Sequence, residues 1–572
     1  MAIVESKAIH ATYHRHKQFK TEDMVLLKIR HLHDDGTEST ELKRIINPKR
    51  PIYITKPGHE YKTKPEHAPI EHVNKVMTTD AKMFNVAKKA LSFEPESRKA
   101  PHMGKLKNSP NLFWSSVTVG SIILHHFRTK KDTDSVRILP KVCAIDFEWD
   151  VDDQTATIGS YAYEDRSVVI VSREYLRKVK FTDEDKFREE YYKAFDELLA
   201  PVIAEYYSRQ SVIDSKQTVR VFKPEIYFSD NEFTTMRDTF QLGNGDKADY
   251  LTAWNGSSDF TIAEEVCSRY AEPLTAMCAD PSIPNEWRNS FFNKGKTGSN
   301  KDANGGNKAI NPNTEWHELI STSQFQYVDM QSTFHRNRIH TPNLPGSLEW
   351  CLNTELGFGK LKYDCGVHED DKEEWHRTMS AKHPVAYCVY ASGDTNGLIV
   401  LEEKNFEISS SYFSGVGYSP YGEYVKNPMR LSTDMHFHSL EEGLVVSSVA
   451  SNMSSDMDKL IVPSRNITVT LNPSYSKGMK LRWIEDSQDW CWIVPDGADG
   501  DLTSAYPTGQ IMCNGSRDTT WTECCGIVDH SNLTTNAYGY TLAAGPQSNT
   551  TIARTMFGLP SAYEISVRLN LN

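Results

Sequence analysis

The sequence predicts a mixed α/β fold in which a mixed sheet is flanked by helices, and three stretches carry that prediction. Val142-Cys-Ala-Ile-Asp146 is an apolar run that ends in a carboxylate, the pattern of a buried strand reaching a polar edge. Ala156 to Tyr163 and Ser167 to Ser172 follow as further strands, with the charged turn residues Glu164 and Asp165 between them. Phe187 to Tyr207 then has apolar residues at helical spacing. Strands succeeded by a long amphipathic helix pack as a sheet covered by helices.

The chain is long for a single core, since 572 residues at ordinary domain size give about three or four domains. Residues 1–140 read as a mixed N-terminal domain, with a strand at Met24 to Arg30 and helical spacing from Thr79 to Leu91. Residues 141–407 hold the strands and helix described above. Residues 408–470 read as a linker returning to the N-terminal domain, irregular over 408–460, and residues 471–572 as a further part-domain. The Gly/Asn/Lys-rich stretch 289–314 has no periodicity and reads as a long loop, of the kind compact domains keep for function.

Composition narrows the class. Hydrophobic residues make up 38% and aromatics 10%, an ordinary globular mix, and no apolar run approaches the roughly 20 residues of a membrane helix. The first residues carry Glu5, His10 and Lys17 where a signal peptide needs an apolar run. Ten cysteines without a CxxC pair fit reduced thiols in a cytoplasm better than a zinc site or a disulfide framework. The net charge of −12 argues against non-specific attraction of the whole chain to nucleic acid. Local basic tracks such as Lys43 to Lys64 and Arg98 to Lys131 remain, although a run of that kind is usually a solvated face.

Three segments offer carboxylates where a divalent cation needs them. Ala144-Ile-Asp146-Phe-Glu148 sets two acids two residues apart on a strand, so both point to one face. Thr252-Ala-Trp-Asn255-Gly-Ser-Ser-Asp259 brings an Asp just after an apolar strand and a turn. Tyr387-Cys-Val-Tyr390-Ala-Ser-Gly-Asp394 puts Tyr390 and Asp394 on one helical face, where the phenol can position a water. Singly each is weak, because a lone Asp at a strand end is more often a cap than a ligand. As a set they fit phosphodiester cleavage by two metal ions about 4 Å apart, which needs carboxylates converging from separate elements.

In order and type the three segments resemble the exonuclease motifs of the DEDDy proofreading nucleases. Ser347-Leu-Glu-Trp350, Gly359-Lys-Leu-Lys-Tyr-Asp364 and Tyr390-x3-Asp394 are similar to runs in the family B DNA polymerases of T-even-type tailed phages. The likeness spans residues 140–515. One position departs from the family: Ser258 precedes Asp259 and Phe260 follows it, where the family has an aromatic directly before its Asp. The resemblance implies an RNase H-like 3′→5′ exonuclease domain. It further implies that Asp146, Glu148, Asp259 and Asp394 hold two Mg²⁺ or Mn²⁺ ions, that Tyr390 orients the attacking water, and that Asn255 and Phe147 lie beside the bound strand. Removing Asp146 or Asp394 is expected to abolish activity and leave the fold intact, because losing one of several crowded carboxylates relieves repulsion.

Further along, Asp501-Leu-Thr-Ser504-Ala-Tyr506-Pro-Thr508 resembles palm motif A of the same polymerases, with Ala505 and Thr508 in place of the usual Leu and Ser. The resemblance gives Asp501 a metal, Ser504 the triphosphate and Tyr506 the sugar. No fingers lysine motif and no second palm carboxylate pair follow in 509–572. A literal Asp132-Thr-Asp134-Ser135 follows Arg128-Thr-Lys-Lys131 instead and reads as a polar turn. The sequence therefore predicts a proofreading nuclease joined to an incomplete palm, which polymerises only with a second polypeptide carrying fingers and thumb. Its implied partners are primer-template DNA, single-stranded 3′ ends, a dNTP and a sliding clamp, in the cytoplasm of an infected bacterial host, with no membrane. The Lys-rich residues Asn293 to Lys308 stand where family members carry a strand-transfer hairpin. Two rivals are an inert polymerase scaffold, disfavoured by the intact carboxylates and Tyr390, and a stand-alone single-strand nuclease, for which motif A has no use.

Overall fold

The computed structural model describes residues 2–92, 106–213, 220–295 and 317–448, apart from short internal stretches (136, 339–340, 342–343, 369–370, 410–417 and 419–426), and six short strands beyond 448. The chain divides into two compact units, Met1–Pro48 with Thr79–Ala81 and Thr118–Arg430, and Lys49–Thr78 with Lys82–Val117 and Leu431–Asn572. Residues 1–140, read from sequence as one N-terminal domain, are shared between them.

The first unit is built on a six-stranded sheet. Its order is Lys223–Ser229, Arg166–Ser172, Ala156–Tyr163, Val142–Trp149, Tyr250–Ala253 and Gln326–Asp329. Ala156–Tyr163 runs antiparallel to both neighbours and every other pairing is parallel, so the sheet is mixed, as the sequence predicts. Alternation along Val142–Trp149 sorts its side chains between two cores. Val142 and Ala144 pack on one side with Val389, Leu398 and Leu401 of the helix Pro384–Asn405. Cys143, Ile145 and Phe147 pack on the other with Met236 and Phe240 of the helix Glu232–Gly245.

The helix expected at Phe187 to Tyr207 is helical from Glu184 to Ile213, with a wide π turn at Phe195–Leu199. Its buried residues Phe187, Tyr191, Phe195, Leu199 and Ile203 recur every four positions. That period outruns a turn of 3.6 residues, and one wide turn brings the stripe back toward the sheet. On the opposite face Glu232–Gly245 starts at a capping box between Asn231 and Thr234 and lies close against the sheet at Gly159. A Cβ at Gly159 would stand 2.2 Å from Thr239 Oγ1, so only glycine permits this approach.

Three antiparallel strands, Ile3–Arg15, Asp23–His33 and Glu38–Ile46, form a separate sheet in the same unit. It is tied to the larger sheet by a buried ionic network. Lys28 Nζ donates to Lys247 O at 3.0 Å and to Gln324 Oε1 at 3.1 Å. Arg30 Nε donates to the Asp249 carboxylate, which also accepts from Lys141 N at 2.8 Å.

In the second unit Arg50–Thr55 pairs with Val73–Thr78 and Leu112–Phe113, and Met83 and Ala87 of the helix Asp80–Ala90 cover Ile52 and Ile54. Strand Leu444–Val446 pairs with His67–Pro69. The stretch 408–460, expected to be irregular, contains this strand and the helix Asn427–Glu441. The helix is held by a partner remote in sequence. Trp114 Nε1 donates to His436 O at 3.4 Å across 322 residues, and the indole meets Phe437 edge-on at 5.4 Å. The loop expected at 289–314 also starts differently, as strand Ser290–Asn293 paired with Glu318–Ser321. Residues 296–316, which include most of the Lys-rich stretch, lie outside the described residues. Asp132 sits at φ 52 in the polar turn read from sequence. Among the described residues no helix is long and apolar enough to cross a membrane.

The network around Asp249 generates a stability prediction. Asp249→Ala leaves buried Lys28 without its paired carboxylate and Arg30 with only Glu38 at 3.7 Å, and destabilises the fold by about 3–5 kcal/mol, whereas replacing all three by apolar residues of similar volume recovers most of the loss. Thermal melts of the two variants check this, and a melting temperature indifferent to Asp249→Ala would contradict it.

Candidate metal centre

Asp146 and Glu148 sit two apart on Val142–Trp149 and so share the face that carries Val142 and Ala144, the face covered by Pro384–Asn405. That helix is buried from Ala386 to Glu402 and presents Tyr387, Tyr390 and Asp394 on one side at spacings of three and four. Carboxylate oxygens of Asp146, Glu148 and Asp394 all lie within 4.8 Å of one another, and no other group of three potential ligands does so among the described residues.

Asp259 stands beside this trio. It occupies the first turn of the helix Ser257–Arg269 and is 4% exposed. Its charge is felt at Asp146, while its own N–H and that of Phe147 favour its ionised form. The turn before it is pinned from below. Asp329 Oδ2 accepts from Gly256 N at 2.9 Å and from the Tyr327 hydroxyl at 3.0 Å. A Cβ at Gly256 would meet that hydroxyl at 2.1 Å, so the turn needs glycine. Asn255 lies in this turn at φ 57 and is half-buried. Phe260, the aromatic that follows Asp259 rather than preceding it, stacks on Phe292 at 4.8 Å and meets Tyr327 edge-on.

The Phe147 side chain points away from the carboxylates. Expected beside a bound strand, its ring is 3% exposed and packs against Phe240 at 5.6 Å in the opposite core. Strand alternation sends it away from Asp146 and Glu148, and only its backbone N–H reaches the site. Asp501, Ser504 and Tyr506 lie outside the described residues.

Three residues at the site were given no role from sequence. Lys360 Nζ forms an ion pair with Asp394 Oδ2 at 2.5 Å and donates to the Tyr390 hydroxyl at 3.0 Å. It arrives there because Ser347 caps the helix Leu348–Leu356, Gly357 ends it in the left-handed region at φ 74, and the Glu349 carboxylate accepts the Lys360 N–H. The other two are Tyr387, whose hydroxyl donates to Glu148 Oε2 at 2.6 Å, and His376, whose Nδ1 is 3.0 Å from that hydroxyl.

Crowding governs the electrostatics. Burial, then the charge of Asp394, pushes Glu148 up to about 8, and burial pushes Asp259 up to about 7 with Asp329 adding to it. Enclosure and the charges of Asp394, Glu148 and Asp259 hold Asp146 well above the usual carboxylate range. Burial raises Asp394 as well, and Lys360 opposes that rise. Asp394 Oδ1 is buried with no hydrogen-bond partner, an orphaned acceptor inside a ring of carboxylates. An all-oxygen donor set with a vacant lone pair suits a hard divalent cation, Mg²⁺ or Mn²⁺.

A scan against protein-family models matches no family, and a search of the curated proteins finds no match. The functional reading therefore rests on the residues themselves.

The structure separates two carboxylates that the sequence treats alike. Removing Asp146 relieves crowding, whereas removing Asp394 takes from Lys360 its ion-pair partner, so the second substitution is expected to cost more stability than the first. The raised carboxylates also predict a pH effect. Between about pH 4 and 8 the folded chain keeps protons on Glu148 and Asp259 that the unfolded chain, with ordinary values of 4.5 and 3.8, has released. Their contribution to stability is therefore lost as pH rises through that window. Thermal melts in EDTA should show this decline, shallower in Glu148→Gln, and millimolar Mg²⁺ should reverse it. A profile unchanged by Glu148→Gln and by Mg²⁺ would contradict the assignment.

Proposed function

We propose that this chain is a metal-dependent 3′→5′ DNA exonuclease with an RNase H-like domain, of the proofreading kind that works beside a family B DNA polymerase. The observation that supports it most is the convergence of half-buried Asp146 with buried Glu148 and Asp394, with Tyr390 one turn before Asp394. These carboxylates, with Asp259 beside them, would hold Mg²⁺ or Mn²⁺, which when bound supplies Lewis acidity toward the phosphate and a more acidic water.

The chain's own residues supply the rest. Lys360 donates to the Tyr390 oxygen, which leaves the phenol proton free to bond a water and fix where its lone pair points. The same ammonium puts a positive charge at the edge of the carboxylates, where it would help offset the negative charge that phosphodiester cleavage develops. The palm motif at Asp501, Ser504 and Tyr506 supports the wider reading. Under it the nuclease edits primer-template ends, the dNTP binds a completed palm, and a second polypeptide with fingers and thumb, together with a sliding clamp, is the partner. A host cytoplasm goes with that reading.

The test is digestion of a 5′-labelled single strand, and of duplexes with paired or mispaired 3′ ends, by the full chain with Mg²⁺. Stepwise shortening from the 3′ end is expected, faster on the mispaired end because each stacked pair costs about 1.4 kcal/mol to open. Asp146→Ala should slow it at least about a hundredfold, since it removes several kcal/mol of transition-state stabilisation. No shortening by the unmodified chain would favour the inert scaffold instead, and shortening insensitive to Asp146→Ala would place the chemistry elsewhere.

A further inference from the structure

We propose that Tyr387 and His376 form a positioning relay that sets the orientation of Glu148 before a cation arrives. The proposal rests on reading the carboxylate trio as a metal site and extends it to two residues outside the ligand set.

Tyr387 is 1% exposed and its hydroxyl donates to Glu148 Oε2 at 2.6 Å. A phenol has one proton, and with Glu148 ionised, as a ligand to a cation must be, that proton goes to the carboxylate. The 3.0 Å contact between the same oxygen and His376 Nδ1 must then be a ring N–H donating to the phenol, which fixes the imidazole as its Nδ1–H form. The chain of donors runs from His376 through Tyr387 to Glu148. His376 is itself held edge-on to Trp375 at 5.0 Å and to Tyr390 at 5.8 Å, on the helix Lys372–Lys382 that Asp371 caps. Trp375 Nε1 donates to Tyr363 O at 3.3 Å and anchors that helix in turn.

Tyr387 and Tyr390 are nearly parallel, with ring centres 6.0 Å apart and planes 17° apart, yet their partners differ. Tyr390 faces Lys360 and Asp394, whereas Tyr387 faces Glu148. With Oε2 held, the Glu148 carboxylate cannot swing freely, and its ligand geometry is set in advance. Partners that orient a metal-binding carboxylate commonly change metal affinity 10–100-fold when removed.

The experiment is Mn²⁺ binding to the full chain by calorimetry, with nuclease half-saturation in Mn²⁺ measured alongside. Tyr387→Phe keeps the ring and loses the donor, and is expected to raise the Mn²⁺ dissociation constant about tenfold or more. The maximal rate at saturating Mn²⁺ should change far less. His376→Ala should weaken binding in the same direction, and His376→Asn, whose amide nitrogen stands near the position of Nδ1, should restore it. His376 has a side chain 30% exposed, so its variants carry the test even if Tyr387→Phe does not fold. Binding in Tyr387→Phe and His376→Ala equal to the unmodified chain overturns the relay alone. An unmodified chain that binds no Mn²⁺ sensitive to Asp146→Ala overturns the metal site and the relay with it.

Discussion

Three carboxyl groups held within 4.8 Å of one another repel strongly when ionised, and much of this unit is arranged around that constraint. Their mutual distance comes from two regular elements, a strand with a period of two and a helix with turns of three to four residues. Neither element can shift without breaking a core, because Val142 and Ala144 pack under the same helix that carries Asp394. Burial and repulsion raise the carboxyls above their usual range, and Lys360 offsets the charge of one of them. The site is thus strained electrostatically while its backbone is regular, and a divalent cation held there would release protons on binding.

The irregular parts of the site follow a second rule. Asp259 and Lys360 are delivered by segments that follow a turn, and each segment is tied back by a carboxylate that is not itself in the trio. Asp329 holds the Gly256 N–H, and Glu349 holds the Lys360 N–H. Both anchors stand in the first turn or at the cap of a helix, where a negative charge is favoured. Loop segments acquire definite positions this way without an apolar core of their own.

Much of the arrangement is legible in the sequence, and the rest fails for identifiable reasons. Ala156–Tyr163 is legible because its boundaries are turn residues, and Asp146, Glu148, Tyr390 and Asp394 because their spacing alone puts them on common faces. The direction of Phe147 is legible by the same period and requires only that alternation be applied to the residue between two site carboxylates. The period of four from Phe187 to Ile203 likewise contains the wide turn. Lys360 has a weaker signal, since nothing local says that a lysine in Gly359-Lys-Leu-Lys will reach a carboxylate 34 residues away. The helix Asn427–Glu441 has no local signal at all, because its partner Trp114 lies in another part of the chain. Tyr387 and His376 belong to this last class, since the contacts that link them to each other and to Glu148 exist only in three dimensions.

Crystals soaked in Mn²⁺ and measured at an energy where manganese scatters anomalously would test the central claim most directly. The account predicts peaks enclosed by Asp146, Glu148 and Asp394, two of them about 4 Å apart when a strand end is also bound. Asp394 Oδ1, the orphaned acceptor, should be among the ligands. An anomalous map without density at the trio, with Lys360 and protonated carboxyls left as the only neutralising groups, would contradict it.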